Sequence, residues 1–169
     1  MAKRSTQLLN ALDLLTEQHA EVDALFEQLE GNGGDRTVTF IELADKLAAH
    51  AAIEEKLFYP RVMSEQTSEL LHESVEEHLA IKRVLADLLT MDLAAAEFTS
   101  KLAVLKEQVA HHAHEEEEAK LFPILRRSMD ADELAGLGNE LLVMFEGLIA
   151  SEPRFQVPRE TAQAAPLPA

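Results

Sequence analysis

Residues 50–60 read HAAIEEKLFYP, and a related stretch at residues 111–123 reads HHAHEEEEAKLFP. Apolar residues precede each stretch at steps of three and four, with Leu43 and Leu47 before the first and Leu105 and Val109 before the second. This spacing is that of the buried face of an amphipathic helix. Both stretches therefore predict a helix whose core-facing stripe contains histidine and glutamate.

The same periodicity extends over most of the chain and predicts five helices with no strand. The predicted ranges are 5–30, about 39 to 60, about 67 to 92, about 98 to 128 and 130–149. The first four, joined by short loops, predict an all-α, antiparallel up-down-up-down four-helix bundle, to which a short fifth helix is added. Residues 1–150 form one predicted domain. Residues 151–169 contain four of the six prolines and predict a disordered C-terminal tail.

Composition excludes several classes of function. The 169 residues include 31 acidic and 15 basic side chains, for a formal charge of -16. Such a surface repels phosphates, so we expect no nucleic acid and no anionic membrane as partner. The chain has no cysteine, which excludes disulfides, thiolate metal sites and cysteine nucleophiles. No apolar run is long enough for a membrane span, and we expect a soluble cytoplasmic protein.

Polar residues lie where each helical stripe requires core residues. Buried without partners, each such group costs on the order of 1–3 kcal/mol, and a lone carboxylate costs more. A bound cation removes that cost, because imidazole and carboxylate are suited to divalent first-row metals. A spacing of four places two side chains on one helix face, so each histidine–glutamate pair is able to reach one centre. The predicted metal ligands are His19, His50, Glu54, His78, His112 and Glu116.

Other interpretations of these residues remain open. A single core histidine is more often an ordinary buried residue than a ligand, and only the coincidence over four helices favours a metal site. His72, His111 and His114 lie off the stripes and are predicted to be surface residues, as are Glu115 and Glu118. Aligning the two stretches on their Lys-Leu-Phe instead selects His114 with Glu118, and Glu117 is a further alternative to Glu116.

These residues together resemble the hemerythrin-like, or HHE cation-binding, family. The resemblance covers about residues 10 to 128 and rests on His19, HAAIEEKLFYP, EEHLAIKRVL around His78, and HHAHEEEEAKLFP. It implies a helical bundle that holds two iron ions in an oxo-bridged, non-haem di-iron centre. Family members bind dioxygen, sense oxygen, nitric oxide or iron, or act on peroxide. The same ligands also accept zinc or manganese.

One departure from the family pattern bears on function. Oxygen-carrying hemerythrins have a second histidine four residues before the one that matches His78, and here that position is Ser74. They also have an aspartate five residues after the histidine that matches His112, where this chain has Glu117. One histidine fewer leaves a more open coordination position, and the resemblance is therefore closer to bacterial HHE and iron-sensing variants than to oxygen carriers.

Three functions follow as hypotheses. The first is a di-iron protein that binds or senses dioxygen, nitric oxide or peroxide, or responds to iron itself. The second is a catalase-like enzyme that decomposes peroxide at the same centre, although no acid or base outside the ligands identifies itself. The third is a helical interaction module in which the metal only stabilises the fold and a protein partner of unknown identity binds elsewhere.

Overall fold

The computed structural model describes residues 9–31 and 33–169, and all regular elements in these ranges are helical. The predicted helix start at Ser5 lies outside the described residues. The principal α-helices are α1 (Ala11–Glu30), α2 (Arg36–Ile53), α4 (Ser68–Leu88), α5 (Ala96–Ala110) and α7 (Ala131–Ile149). Two short α-helices, α3 (Tyr59–Val62) and α6 (Phe122–Ser128), each follow a π-helical segment, π1 (Glu54–Phe58) and π2 (His111–Leu121).

The helix starts follow the capping chemistry of the sequence. Asn10 and Asp35 accept hydrogen bonds from the first-turn amides of α1 and α2, so α2 begins three residues before the predicted Thr39. Asp130 and Glu133 form the capping box that starts α7. The helix predicted to end near Pro60 continues to Val62, because proline is tolerated in the first turn of α3.

The helices pack in pairs, α1 against α2 and α4 against α5, while α7 contacts α1 and α2. Gly138 allows the close approach of α7 to the start of α1, because a Cβ there would lie 2.4 Å from the carbonyl oxygen of Leu9. No single helix among the described residues is long and apolar enough to cross a membrane. Ala131–Ile149 and Pro153–Glu160 reach that length and apolar composition only when they are counted together, and the two helices are bent by 94° relative to each other.

Two apolar clusters form the core. Helices α1, α2 and α4 contribute to both clusters, whereas the buried apolar residues of α5 belong to the second. In α1, Leu15 belongs to the first cluster and Val22 to the second. In α4, Val75 belongs to the first cluster and Ile81 to the second. The level between the two clusters is polar and buried, and it contains the side chains described below.

The disorder predicted for residues 151–169 is not confirmed. Pro153–Glu160 forms a 3-10 helix that contacts α2 and α4. Val157 is 2% exposed within the second apolar cluster, and Arg154 forms an ion pair of 2.6 Å with Asp45. Proline content alone does not reveal this ordered structure. Prolines are compatible with an extended or 3-10 backbone, and the segment also contains side chains that become buried against the helices.

Candidate metal centre

Six side chains from both helix pairs meet in the polar level between the apolar clusters. All six are 8% exposed or less. Glu54 and Glu117 lie at the middle and are fully buried. The six side chains are His19 from α1, His50 from α2, Glu54 from π1, His78 from α4, and His112 and Glu117 from π2.

Five of the six predicted ligands lie in this cluster, and Glu116 does not. Glu116 is buried, but its carboxylate accepts from Lys120 at 2.6 Å and approaches His111 at 3.6 Å. Glu116, His111 and Glu77 form a second polar group, and Glu77 joins it to the cluster through a contact with His112 Nδ1. His114 also lies outside the cluster, bonded to Asp23 at 2.8 Å.

The π-helical backbone explains why Glu117 takes the place expected for Glu116. The α-helical phase predicts that the residue four after His112 shares its face. In π2 the hydrogen bonds run from residue i to i+5, which brings the residue five positions later, Glu117, onto that face. The two extra residues between His112 and the Lys-Leu-Phe that follows were the signal in the sequence, since the copy at residues 50–60 is shorter.

The cluster divides into two halves that share both carboxylates. The His19–His50 half has Glu54 Oε1 at 3.0 Å from His50 Nε2 and Glu117 Oε2 at 3.1 Å from His19 Nε2. The His78–His112 half has Glu54 Oε2 at 3.1 Å from His78 Nε2 and Glu117 Oε1 at 3.7 Å from His112 Nε2. Each carboxylate thus presents one oxygen to each half.

Hydrogen bonds outside the cluster orient every histidine ring. The Nδ1 atoms lie 2.7 Å from Gln18 Oε1 for His50, 2.7 Å from Glu118 for His19, 2.9 Å from Glu55 for His78 and 2.6 Å from Glu77 for His112. These oxygens accept a hydrogen bond from Nδ1–H, so in the neutral form of each ring the Nε2 lone pair is directed at the centre. That tautomer is the one required of a metal ligand.

Four polar atoms at the centre have no hydrogen-bond partner. They are Nε2 of His19, Nε2 of His50, Glu54 Oε1 and Glu117 Oε2. His50 Nε2 lies 3.0 Å from Glu54 Oε1, and His19 Nε2 lies 3.1 Å from Glu117 Oε2. Both distances are within the range of ion pairs, but neither contact has the geometry of a hydrogen bond. Unsatisfied buried groups of this kind are rare in folded proteins. The donor set is imidazole and carboxylate, and these four atoms lie within 4.8 Å of one another, which fits a transition-metal ion.

The protonation of the metal-free cluster reflects its crowding. Burial lowers the pKa of His19, but the adjacent carboxylates of Glu117 and Glu118 outweigh it and raise that pKa to about 9. Burial likewise opposes the charge of His112, while Glu117 and Glu54 raise its pKa to about 10. The pKa of Glu54 is well below its usual range, since the surrounding histidines outweigh the effect of burial.

Tyr59 is a fully buried residue at the centre that the sequence patterns did not single out. Its hydroxyl donates to Glu117 Oε1 at 2.8 Å and lies 3.2 to 3.4 Å from Glu54 Oε2, His78 Nε2 and His112 Nε2. Burial, together with the negative charge of Glu117 and Glu54, raises the pKa of Tyr59 well above its usual value. The phenol therefore keeps its proton at neutral pH and acts as a hydrogen-bond donor.

A small apolar cavity of about 30 Å³ lies against the four histidines. A cavity of this size has room for a diatomic molecule or a peroxide but not for an organic substrate. Its lining comes from α1, α2, α4, α5 and π2. The apolar lining residues are Val22, Leu47, Ala51, Ile81, Val109 and Ala113.

The model of the hemerythrin HHE cation binding domain family matches residues 10–125. The structure is similar to that of a hemerythrin HHE cation binding domain-containing protein from Mycobacterium kansasii. The TM-score is 0.77 at 24% identity, over 90% of this chain and 99% of that one. A DNA nickase from Nostoc sp. is 28% identical over 129 residues, which are 75% of this chain. The match spans 36% of the length of that nickase.

Proposed function

Because the chain belongs to the hemerythrin HHE cation-binding family, we propose that its buried cluster holds two iron ions in an oxo-bridged, non-haem centre. Glu54 and Glu117 bridge the two ions in this proposal, and the four histidines are terminal ligands. The observation that carries it is that each carboxylate directs one oxygen to each half of the cluster. Two ions held in this way would use all four carboxylate oxygens, and the ion in the His19–His50 half would satisfy the four partnerless atoms.

The centre binds a small ligand, namely dioxygen, nitric oxide or peroxide, or responds to the supply of iron itself. The cavity of about 30 Å³ against the histidines supports a ligand of this size. Bound iron would supply an open coordination position and a change of redox state. The apolar residues that line the cavity exclude bulk water from this position.

Tyr59 has a defined part in this proposal. Its hydroxyl stays protonated and donates to Glu117, which fixes the orientation of one bridging carboxylate. The same hydroxyl lies within hydrogen-bond distance of atoms in the His78–His112 half. It is therefore placed to hold a proton next to the carboxylates and the histidines of that half.

Anaerobic loading of the metal-free protein with ferrous iron tests the proposal. We expect about two irons per chain, from the two halves of the cluster, and an oxo-to-iron absorption band after exposure to air. The variant His78→Ala should lose at least one iron, whereas His72→Ala, on the exposed face of the same helix, should retain both. An iron-supplied protein with fewer than two irons per chain and no band would refute the proposal.

Adding peroxide to the same preparations separates ligand binding from catalysis. A spectral change without loss of peroxide indicates a binding or sensing protein. Steady loss of peroxide in proportion to iron content would instead favour the catalase-like function.

We further propose that this chain has no nucleic-acid partner of its own and works in the cytoplasm. Its charge of -16 opposes contact with phosphates. The nickase relative is much longer, and DNA cleavage is a property in the name of that protein. Incubation of the iron-loaded protein with supercoiled plasmid should leave the plasmid intact. Nicking that disappears in the His78→Ala variant would contradict this part of the proposal.

A further inference from the structure

The two halves of the cluster are built from matching sequence positions. On α1 the ligand His19 is preceded by Gln18, and on α4 the ligand His78 is preceded by Glu77. Each of these two preceding residues contacts the Nδ1 atom of a histidine that comes from the other helix of the same pair, or from the π-helical segment that continues it. Gln18 contacts His50, and Glu77 contacts His112.

The remaining supports also match. Glu55 follows Glu54 and bonds to His78, while Glu118 follows Glu117 and bonds to His19. Each of these two carboxylates has a second partner: Lys82 lies 2.8 Å from Glu55, and His114 lies 3.2 Å from Glu118. Both halves therefore contain one histidine whose supporting carboxylate is shared with a second basic group.

Among the residues that support the Nδ1 atoms, the two halves differ in chemical type at the other histidine of each half. His112 Nδ1 lies 2.6 Å from a carboxylate oxygen of Glu77, and His50 Nδ1 lies 2.7 Å from the neutral amide oxygen of Gln18. Gln18 is 6% exposed, so solvent does not replace its contact. A carboxylate partner increases the electron donation of an imidazole to a metal more than an amide does.

From this contrast we propose that Gln18 makes the His19–His50 half the weaker of two unequal metal positions. The ion in this half is loaded second and released first, and the His78–His112 half keeps its ion. This inference rests on the proposed di-iron function and assigns Gln18 as the positioning residue that makes the two positions unequal.

The replacements Gln18→Glu and Glu77→Gln test the proposal with almost no change in side-chain shape. The iron-loaded proteins are mixed with an excess of ferrous chelator under reducing conditions, and the release of each iron is followed by absorbance. The wild-type protein should release its two irons in two phases of similar amplitude. Changes in the hydrogen-bond partner of a ligand typically alter metal affinity by about 10-fold or more, and we expect rate differences of that order.

Each single replacement should make the two halves alike, by different routes. Gln18→Glu should slow the fast phase towards the slow one, and Glu77→Gln should accelerate the slow phase towards the fast one. The double variant Gln18→Glu with Glu77→Gln should restore two phases. A purely structural role of Gln18 would not produce this opposite and compensating pattern.

Two results would overturn the inference while leaving the proposed function intact. One is a wild-type protein that holds two irons and releases both at one rate. The other is a biphasic release that neither replacement alters. A wild-type protein with fewer than two irons would instead overturn the proposed function, and the iron count shows this before any release is measured.

Discussion

The two π-helical segments supply equivalent carboxylates through different spacings. In the first, His50 and Glu54 are four residues apart and meet across the junction of α2 and π1. In the second, His112 and Glu117 are five residues apart, and the π-helical bonding of π2 covers eleven residues. The comparison teaches that the position of the carboxylate in space is preserved while its position in the sequence shifts by one.

Replacement of the neighbouring glutamates Glu116 and Glu117 gives the largest effect and tests the comparison directly. Glu117→Gln should lower bound iron from about two per chain to below one, because a bridging carboxylate becomes a neutral amide. Glu116→Gln should keep both irons, since Glu116 contacts Lys120 outside the cluster. The measurement is iron per chain after desalting. Loss of iron in Glu116→Gln but not in Glu117→Gln would identify Glu116 as the ligand, as the α-helical spacing predicts.

The dependence of stability on pH compares one histidine from each helix pair. His19 and His112 have raised pKa values of about 9 and about 10 in the metal-free protein. Their charged forms therefore stabilise the fold fully below about pH 6.5, and this contribution disappears as the pH rises through 9 to 10. The melting temperature of the metal-free protein should fall between pH 7 and 10.

The iron-loaded protein is the control for that measurement. Its histidines are bound in their neutral form, so their protonation no longer contributes and the fall should be much smaller. Metal uptake at pH 7 should also release protons into the medium. An equal decline for both forms would contradict the raised pKa values.

The C-terminal segment, which is the 3-10 helix and the two residues after it, contacts both helix pairs, and two of its arginine contacts differ in burial. Arg154 bonds to Asp45 on α2 at 2.6 Å, and both side chains are largely buried. Arg83 on α4 bonds to the carbonyl oxygens of Thr161 and Ala162 at the exposed surface. Arg154→Ala should lower the free energy of unfolding by about 2 kcal/mol, and Arg83→Ala by less than about 0.5 kcal/mol. Urea unfolding of the metal-free variants measures both.

Replacement of Tyr59 should affect stability less than replacement of Arg154 does. Tyr59→Phe removes the bond to Glu117 and keeps the buried ring, so the free energy of unfolding should fall by about 1 kcal/mol. Iron content should stay near two per chain. Loss of iron in this variant would show that the hydroxyl is needed to hold the bridging carboxylate in place.

Much of the fold follows from the sequence, because amphipathic periodicity and capping residues are local signals. The helix caps at Asp130 and the continuation of the fourth helix past Pro123 follow the predicted pattern. Five of the six side chains gathered at the centre lie on the predicted stripes. Glu117 departs from them because a π-helix cannot be inferred from a periodicity that assumes 3.6 residues per turn.

The supporting residues were beyond the reach of the sequence for a different reason. Gln18, Glu55, Glu77 and Tyr59 act through contacts between helices, and no repeat along one helix indicates which ring each of them meets. The order of residues 153–160 depends in the same way on a pairing with Asp45 that is distant in sequence.

The position of the cluster between two apolar cores has a mechanical consequence for a chain without cysteine. A pair of metal ions bound by α1, α2, α4, π1 and π2 would join segments that are as far apart as residues 19 and 117. Such a centre closes long loops in the unfolded chain, as a set of disulfides would. Iron would then serve as the reversible cross-link of this protein, and its removal by a chelator would be the equivalent of reduction.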